Sequence, residues 1–213
     1  MPTLHTFFDP FAAFAVEAPS RTGRSRPRVS GHGNGKRVLV TGATGFIGTK
    51  LVHRLLERGD CVIVAARNVA KASALFGAQV EIVTDLAAIP AATRIDAIVN
   101  LAGESIGGGL WTRRRRQGLL GSPLGVTSEL LELVARLAAK PTTWINAAAV
   151  GYYGARSGDE PLHEKSARGS GLQAELCQGW EEGAAGAAPH GVKVSALRTG
   201  VVVGEDGGAL PAL

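Results

Sequence analysis

Three glycines at three-residue spacing, Gly42, Gly45 and Gly48, stand where a short apolar run meets a helical pattern, and no other feature constrains the fold as much. Val38-Leu39-Val40 reads as a strand. Phe46, Ile47, Leu51, Val52, Leu55 and Leu56 recur on one face of a helix over 46–58, and Gly59 closes it. In such a strand–turn–helix unit the first glycine permits the tight turn. The second lets the backbone approach a diphosphate, and the third lets the helix pack on the strand. The helix start then offers open N–H groups and a partial positive charge to phosphate. Gly42, Thr44, Gly45, Phe46, Ile47 and Gly48 are the expected diphosphate contacts. A Walker loop is excluded, because no Gly-Lys-Ser/Thr follows.

Downstream, strand and helix patterns alternate. Strands are predicted over 61–66, 80–83, 95–101, 143–150 and 192–203, and helices over 69–76, 127–139 and 172–188. Repeated units of this kind imply an α/β fold: a doubly wound parallel sheet of the Rossmann type with helices on both faces. The strands are continuously apolar rather than alternating, which predicts burial on both sides. Residues 37–213 are read as one NAD(P)-binding Rossmann domain, and residues 1–36 as a disordered leader.

The end of the second strand selects between cofactors: an acid there bonds the ribose 2′-OH of NAD, whereas an arginine accommodates the 2′-phosphate of NADP. This chain reads Ala66-Arg67-Asn68, with no acid, which predicts NADP(H) in preference to NAD(H). Asp85, after the third strand, is placed either to meet the adenine edge or to cap its own loop.

Composition narrows the function classes. The net charge of +5 is concentrated in residues 21–37 and in Arg113-Arg114-Arg115-Arg116, with no interleaved aromatics and no nucleic-acid motif, so a nucleic-acid partner is not expected. The two cysteines, Cys61 and Cys177, match no metal spacing and predict a reducing compartment and no metal site. No apolar run is long enough to span a membrane. The cytoplasm is the expected location. Organelle targeting by residues 1–36, which lack a secretory pattern, stays open beside it.

Several stretches together resemble an extended short-chain dehydrogenase/reductase, specifically its atypical epimerase-family branch of NAD(P)-dependent epimerase/dehydratase-like proteins. They are Thr41 to Gly48, Asn100-Leu101-Ala102-Gly103-Glu104, Trp111-Thr112, Gly151-Tyr152-Tyr153-Gly154, Cys177 with Trp180-Glu181, and Arg198-Thr199-Gly200-Val201-Val202. The resemblance runs from about Arg37 to the C-terminus. It implies that Ala66, Arg67, Leu101, Ala102, Gly103 and the strand near Val203 line the cofactor. It also implies that the chain is truncated, with most of the lobe that closes over substrate missing.

The same resemblance exposes departures. Ordinary members use a Tyr-x-x-x-Lys pair and an upstream Ser or Thr; here those places fall at Gln173 and Cys177, and the strand reads Asn146-Ala147-Ala148-Ala149-Val150. An amide does not titrate usefully, and a thiol carries no positive charge. Tyr152 and Tyr153 are the remaining candidates for proton transfer. Asn146 is placed either to bond substrate or to stabilise its own strand. Cys177 is expected as a small buried residue rather than a nucleophile, and His163 and Glu164 as surface residues. Where relatives carry an arginine after Ser122 this chain has Pro123, and Gly118 stands at an acidic position, both implicated in cofactor contacts by resemblance. The readings that follow are an oxidoreductase or epimerase-like enzyme passing hydride between nicotinamide and an unknown carbonyl or alcohol substrate, a non-catalytic NADPH sensor, and an inactive truncated product.

Overall fold

The computed structural model describes residues 35–103, 113–156, 158–205 and 207–209, with the backbone alone for 113–124. The leader up to residue 34, together with Glu104, Trp111 and Thr112, lies outside the described residues, as do the side chains of Arg113 to Arg116, Ser122 and Pro123.

Six strands, β1 (Arg37–Thr41), β2 (Cys61–Ala65), β3 (Glu81–Val83), β4 (Ala97–Asn100), β5 (Thr143–Ala149) and β6 (Lys193–Thr199), form one sheet in the order β3-β2-β1-β4-β5-β6. Every pairing in it is parallel. The helices are α1 (Phe46–Arg58), α2 (Val69–Phe76), α3 (Arg113–Arg136) and α4 (Leu172–Ala185). Strand order runs outward in both directions from β1 and β4, which is the doubly wound Rossmann arrangement the sequence implied. Its crevice lies at the carboxyl ends of β1 and β4, where the order reverses.

Two apolar layers sandwich the sheet. On one face Val38, Val40, Val62, Val64 and Val99 pack against Val52 and Leu55 of α1 and Ala72 and Phe76 of α2. On the other, Ile63, Leu39, Ile98 and Trp144 sit side by side in register across β2, β1, β4 and β5. Leu130, Leu133 and Val134 of α3 and Ala184 of α4 cover that row. Truncating any one of its large side chains to alanine should cost about 2–5 kcal/mol.

Four expectations are corrected. α3 begins at Arg113, not Thr127, and runs through Gly118, Gly121, Pro123 and Gly125. These residues argue for a loop on propensity. A helix already nucleated and anchored by Leu130, Leu133 and Val134 extends more cheaply than a new one starts. α3 also ends at Arg136, where the Lys140 ammonium donates to Ala135 O and Leu137 O, each at 2.7 Å. Burial on both faces holds for β1, β2 and β4 but fails at β6, where Leu197 is 48% exposed. β6 ends the sheet and pairs with β5 alone. Finally, Val203 does not belong to the sixth strand. The chain leaves β6 at Gly200 and folds into a short antiparallel pair, β7 (Val203–Gly204) with β8 (Gly207–Gly208).

Candidate functional site

The glycine loop assembles as its spacing dictates. Gly42 has φ +66°, and a Cβ there would collide with the Leu101 carbonyl and lie 2.8 Å from Ala102 N. The loop between β1 and α1 therefore presses directly on the turn after β4. Gly48 is buried, and a Cβ on it would lie 2.7 Å from Ala43 Cα. Gly45 differs: it is exposed, and a Cβ would meet only Gly42 O, at 3.2 Å. It is the N-cap of α1 without a side-chain cap, and no acid stands in the first turn. The first helical bond runs from Thr49 N–H to Gly45 O at 2.9 Å, so the N–H groups of Phe46, Ile47 and Gly48 precede the helical ladder. This open, uncapped cradle fits a dinucleotide's diphosphate. Ile47 was expected on the buried face of α1 but is 42% exposed, because it lies on this open end.

Below the loop runs a buried polar row. Thr41, Asn100 and Asn146 are neighbours in register on β1, β4 and β5, two residues beyond the apolar row of Leu39, Ile98 and Trp144. The Thr41 hydroxyl donates to Asn100 Oδ1 at 2.6 Å. Asn100 Nδ2 donates to Asn146 Oδ1 at 2.8 Å and to Thr127 Oγ1 at 3.2 Å. Trp144 Nε1 also donates to Asn146 Oδ1, and Asn146 Nδ2 to Trp180 O, both at 3.3 Å. Ala102 N–H donates to Thr41 Oγ1 and Asn100 Oδ1 at 3.3 Å, which ties the Leu101-Ala102-Gly103 turn to the row. Asn146 is 2% exposed and its side chain is bonded within the sheet, as the strand-holding reading expects. Thr127 was missed as a contributor, because its partner sits across the layer boundary rather than nearby in sequence.

At the end of β2, Ala66 is half-buried and its N–H donates to Val83 O at 3.0 Å, while Arg67 is exposed. Asn68 caps α2 through Oδ1, which accepts from Lys71 N–H at 2.9 Å. Asp85 Oδ1 accepts from Ala87 N–H at 2.8 Å, so it caps its own turn.

The second cluster lies after β5, where Val150–Tyr153 form a 3₁₀ turn. Tyr153 is 8% exposed; its hydroxyl donates to His163 O at 3.0 Å and accepts from Arg198 Nη1 at 3.1 Å. Arg198, on β6, grips both Glu181 carboxylate oxygens at 2.8 Å, donates from Nη1 to Glu164 O at 3.0 Å, and lies 3.5 Å over the Tyr152 ring. The Glu181 bonds push the Arg198 guanidinium to a pKa above its ordinary range, so it is a fixed cation. Arg198 and Glu181 both lie in the stretches that carry the family resemblance, but only the fold shows that they pair. The paired geometry is well suited to a partly buried site.

Gln173 and Cys177 on α4 both face Gly151: its Cβ position lies 3.4 Å from Gln173 Cβ and 3.6 Å from Cys177 Sγ. Burial pushes the Cys177 thiol above its usual pKa, the reverse of what a nucleophile needs. In the Asn146 to Val150 stretch, which carries no Ser or Thr, Ala148 is buried, 4% exposed. A hydroxyl does lie nearby: Thr199 Oγ1 donates to Ala148 O at 3.1 Å. His163 and Glu164 are exposed, as expected, and only their carbonyls join the cluster. Val203 is 55% exposed in the β7–β8 pair. Among the described residues, no group of three His, Cys, Asp or Glu side chains could hold a metal ion, and no helix is long and apolar enough to cross a membrane.

Comparison with known proteins agrees with this geometry. The NAD dependent epimerase/dehydratase family matches residues 38–206. The chain is 39% identical over 184 residues to the epimerase family protein SDR39U1 homolog, chloroplastic, of Arabidopsis thaliana, covering 81% of this chain and 51% of that one. Among solved structures it is similar to the human epimerase family protein SDR39U1 (isoform 2) with NADPH, at 32% identity and a TM-score of 0.69, covering 83% of this chain and 57% of the human one. It is also similar to the nucleoside-diphosphate sugar epimerase of Corynebacterium glutamicum, at 31% identity and a TM-score of 0.67, covering 84% of this chain and 36% of that one. The chain thus spans about half the length of the curated relatives it matches.

Proposed function

This chain belongs to the NAD dependent epimerase/dehydratase family, and from that premise we propose that it holds NADP(H) and serves hydride transfer on a carbonyl or alcohol carbon of a small-molecule substrate. The observation that carries the proposal is the uncapped start of α1 beneath the exposed Gly45. The N–H groups of Phe46, Ile47 and Gly48, with Gly42, Thr44 and Gly45 shaping the loop, hold the diphosphate. Arg67 meets the 2′-phosphate, and the absence of an acid at the end of β2 supports the choice of NADP(H) over NAD(H). The human relative's structure with NADPH supports the same choice. Ala66, Leu101, Ala102, Gly103 and Val203 flank the cofactor. When bound, the nicotinamide supplies or accepts the hydride.

Proton handling is assigned to Tyr152. Tyr153 is the weaker candidate, because its hydroxyl is already spent on His163 O and Arg198. Its part is to hold the turn that presents Tyr152. The absence of Ser or Thr from Asn146 to Val150, with Gln173 and Cys177 at the places of the Tyr and Lys, favours a second reading, in which the chain binds NADPH without turning over substrate. The proposed compartment is the cytoplasm; the unpaired state of Cys61 and Cys177 is consistent with a reducing one. Imaging a tagged chain with and without residues 1–36 tests it against organelle targeting.

Isothermal calorimetry of the folded chain with NADPH and NADH tests the central claim. Heat from NADPH at lower concentration than from NADH is expected; no heat from either removes it. Following nicotinamide absorbance across a panel of carbonyl compounds then separates enzyme from sensor.

A further inference from the structure

Three glycine backbones lie against the Phe46 ring. A Cβ on Gly204 would sit 2.6 Å from ring Cζ, one on Gly207 2.5 Å from Cδ2, and one on Gly208 3.0 Å from Cε1. Only residues without a side chain let β7 and β8 lie this close to the ring. The Lys50 ammonium stands 5.1 Å from the ring centroid. Gly208, with φ +77°, also needs glycine for its backbone, whereas Gly204 and Gly207 do not have positive φ. At those two positions, then, the need for glycine comes from the ring and not from local conformation.

The same residue has a second duty, because Phe46 N–H is the first of the open donors at the start of α1. The β7–β8 pair follows directly on Val201 and Val202, beyond the end of β6, and Ala209 N–H closes it onto Val202 O at 2.9 Å. Val201 and Val203 are 78% and 55% exposed, so little apolar burial fixes this segment. We infer that Phe46 is a positioning residue: its ring seats the β7–β8 pair on the start of α1, so that cofactor occupancy and the order of β7 and β8 are coupled. Coupling of this kind is reciprocal, so loosening the seat weakens cofactor binding as much as cofactor tightens the seat. The cofactor half of this inference rests on the diphosphate reading of the glycine loop; the seat itself does not.

The test is a rescue in the full chain. Gly204→Ala drives a methyl into ring Cζ, and Phe46→Leu removes Cζ and both Cε atoms. Gly204→Ala alone should weaken NADPH binding about tenfold and speed amide exchange in peptides covering 203–209. Adding Phe46→Leu to Gly204→Ala should recover affinity and slow that exchange, because the colliding atoms are gone. A double variant showing the product of the two single losses overturns the inference. If the unmodified chain gives no NADPH heat, the diphosphate reading fails instead, and rescue or its absence in the exchange data alone decides the seat. Should the double variant fold poorly, Phe46→Ala alone carries the test: it should weaken NADPH binding and speed exchange over 203–209, and unchanged values for both overturn the inference.

Discussion

At the start of α1 the protein leaves main-chain N–H groups open under an exposed Gly45, whereas across the crevice, between β5 and β6, it bonds its polar side chains to one another. Asn146 is held by Asn100 and Trp180, Tyr153 by His163 and Arg198, and Arg198 by Glu181. Both regions belong to one sheet and one crevice. Their difference teaches that main-chain donors stay open where the backbone turns at a helix start, whereas polar side chains packed between strands and helices find partners within the fold. Main-chain donors are retained as long as the glycines are, because they depend on backbone path.

The sharpest way to break this contrast is to damage the backbone at the binding end. Gly42→Val forces a side chain into the Leu101 carbonyl at φ +66°. It should cost about 2–5 kcal/mol in urea denaturation and abolish NADPH heat. Intact NADPH binding would mean that the loop's path does not govern the site. Next in size, Asn146→Ala strips partners from Asn100 Nδ2 and Trp144 Nε1 inside the sheet. It should lose about 1–3 kcal/mol of stability and leave NADPH affinity within a factor of two or so. If stability held and only turnover fell, Asn146 would be a substrate ligand and the contrast would collapse.

The sequence made the binding end legible and the other end much less so, for physical reasons. The expected limits of α1 and α2 match the observed ones, because apolar periodicity and Gly59 are local signals that act where they stand. The loop's glycines were readable for the same reason. The start of α3 was not, since Gly118, Gly121, Pro123 and Gly125 speak against a helix that tertiary anchoring by Leu130 and Leu133 sustains. Val203 was misplaced because nothing in a valine run marks where an edge strand ends and a short antiparallel pair begins. The Arg198–Glu181–Tyr153 cluster and the Thr127 bond join residues on different elements, and single-sequence patterning carries no pairing information.

Smaller effects sharpen the contrast from either side. Arg67→Asp, at the exposed end of β2, should weaken NADPH about 10–100-fold by removing a charge-assisted contact and adding repulsion, with little change for NADH. Equal losses for both nucleotides in paired titrations would make Arg67 a bystander. Across the crevice, Tyr153→Phe should lose about 0.5–1.5 kcal/mol of stability with its hydroxyl's two bonds. Tyr152→Phe should keep the ring under Arg198 and so keep stability, while abolishing any turnover. The opposite pattern would reassign the two tyrosines.

Acid is the mildest lever, because it acts at the amino edge of the sheet, away from both regions compared. Asp96 Oδ2 accepts from Arg37 N–H at 2.7 Å, and Oδ1 from Arg94 Nε at 2.8 Å. The Arg37 backbone bond above all holds its carboxyl below the ordinary 3.8; burial opposes it next in size, and the Arg94 bond and charge and the Lys36 charge add to the lowering. A carboxyl with a lowered folded pKa stabilises the fold above its unfolded value, and that stability drains away as pH falls through the folded one. Stability should therefore decline below about pH 4 in the unmodified chain, and Asp96→Asn should flatten that limb while lowering the neutral plateau slightly. NADPH affinity at neutral pH should be the same in both, since Asp96 joins β1 to the β4 side at the edge opposite the crevice. Affinity that tracked the Asp96 substitution would show that the two edges of the sheet are coupled, and the independence of binding end and fold would have to be given up.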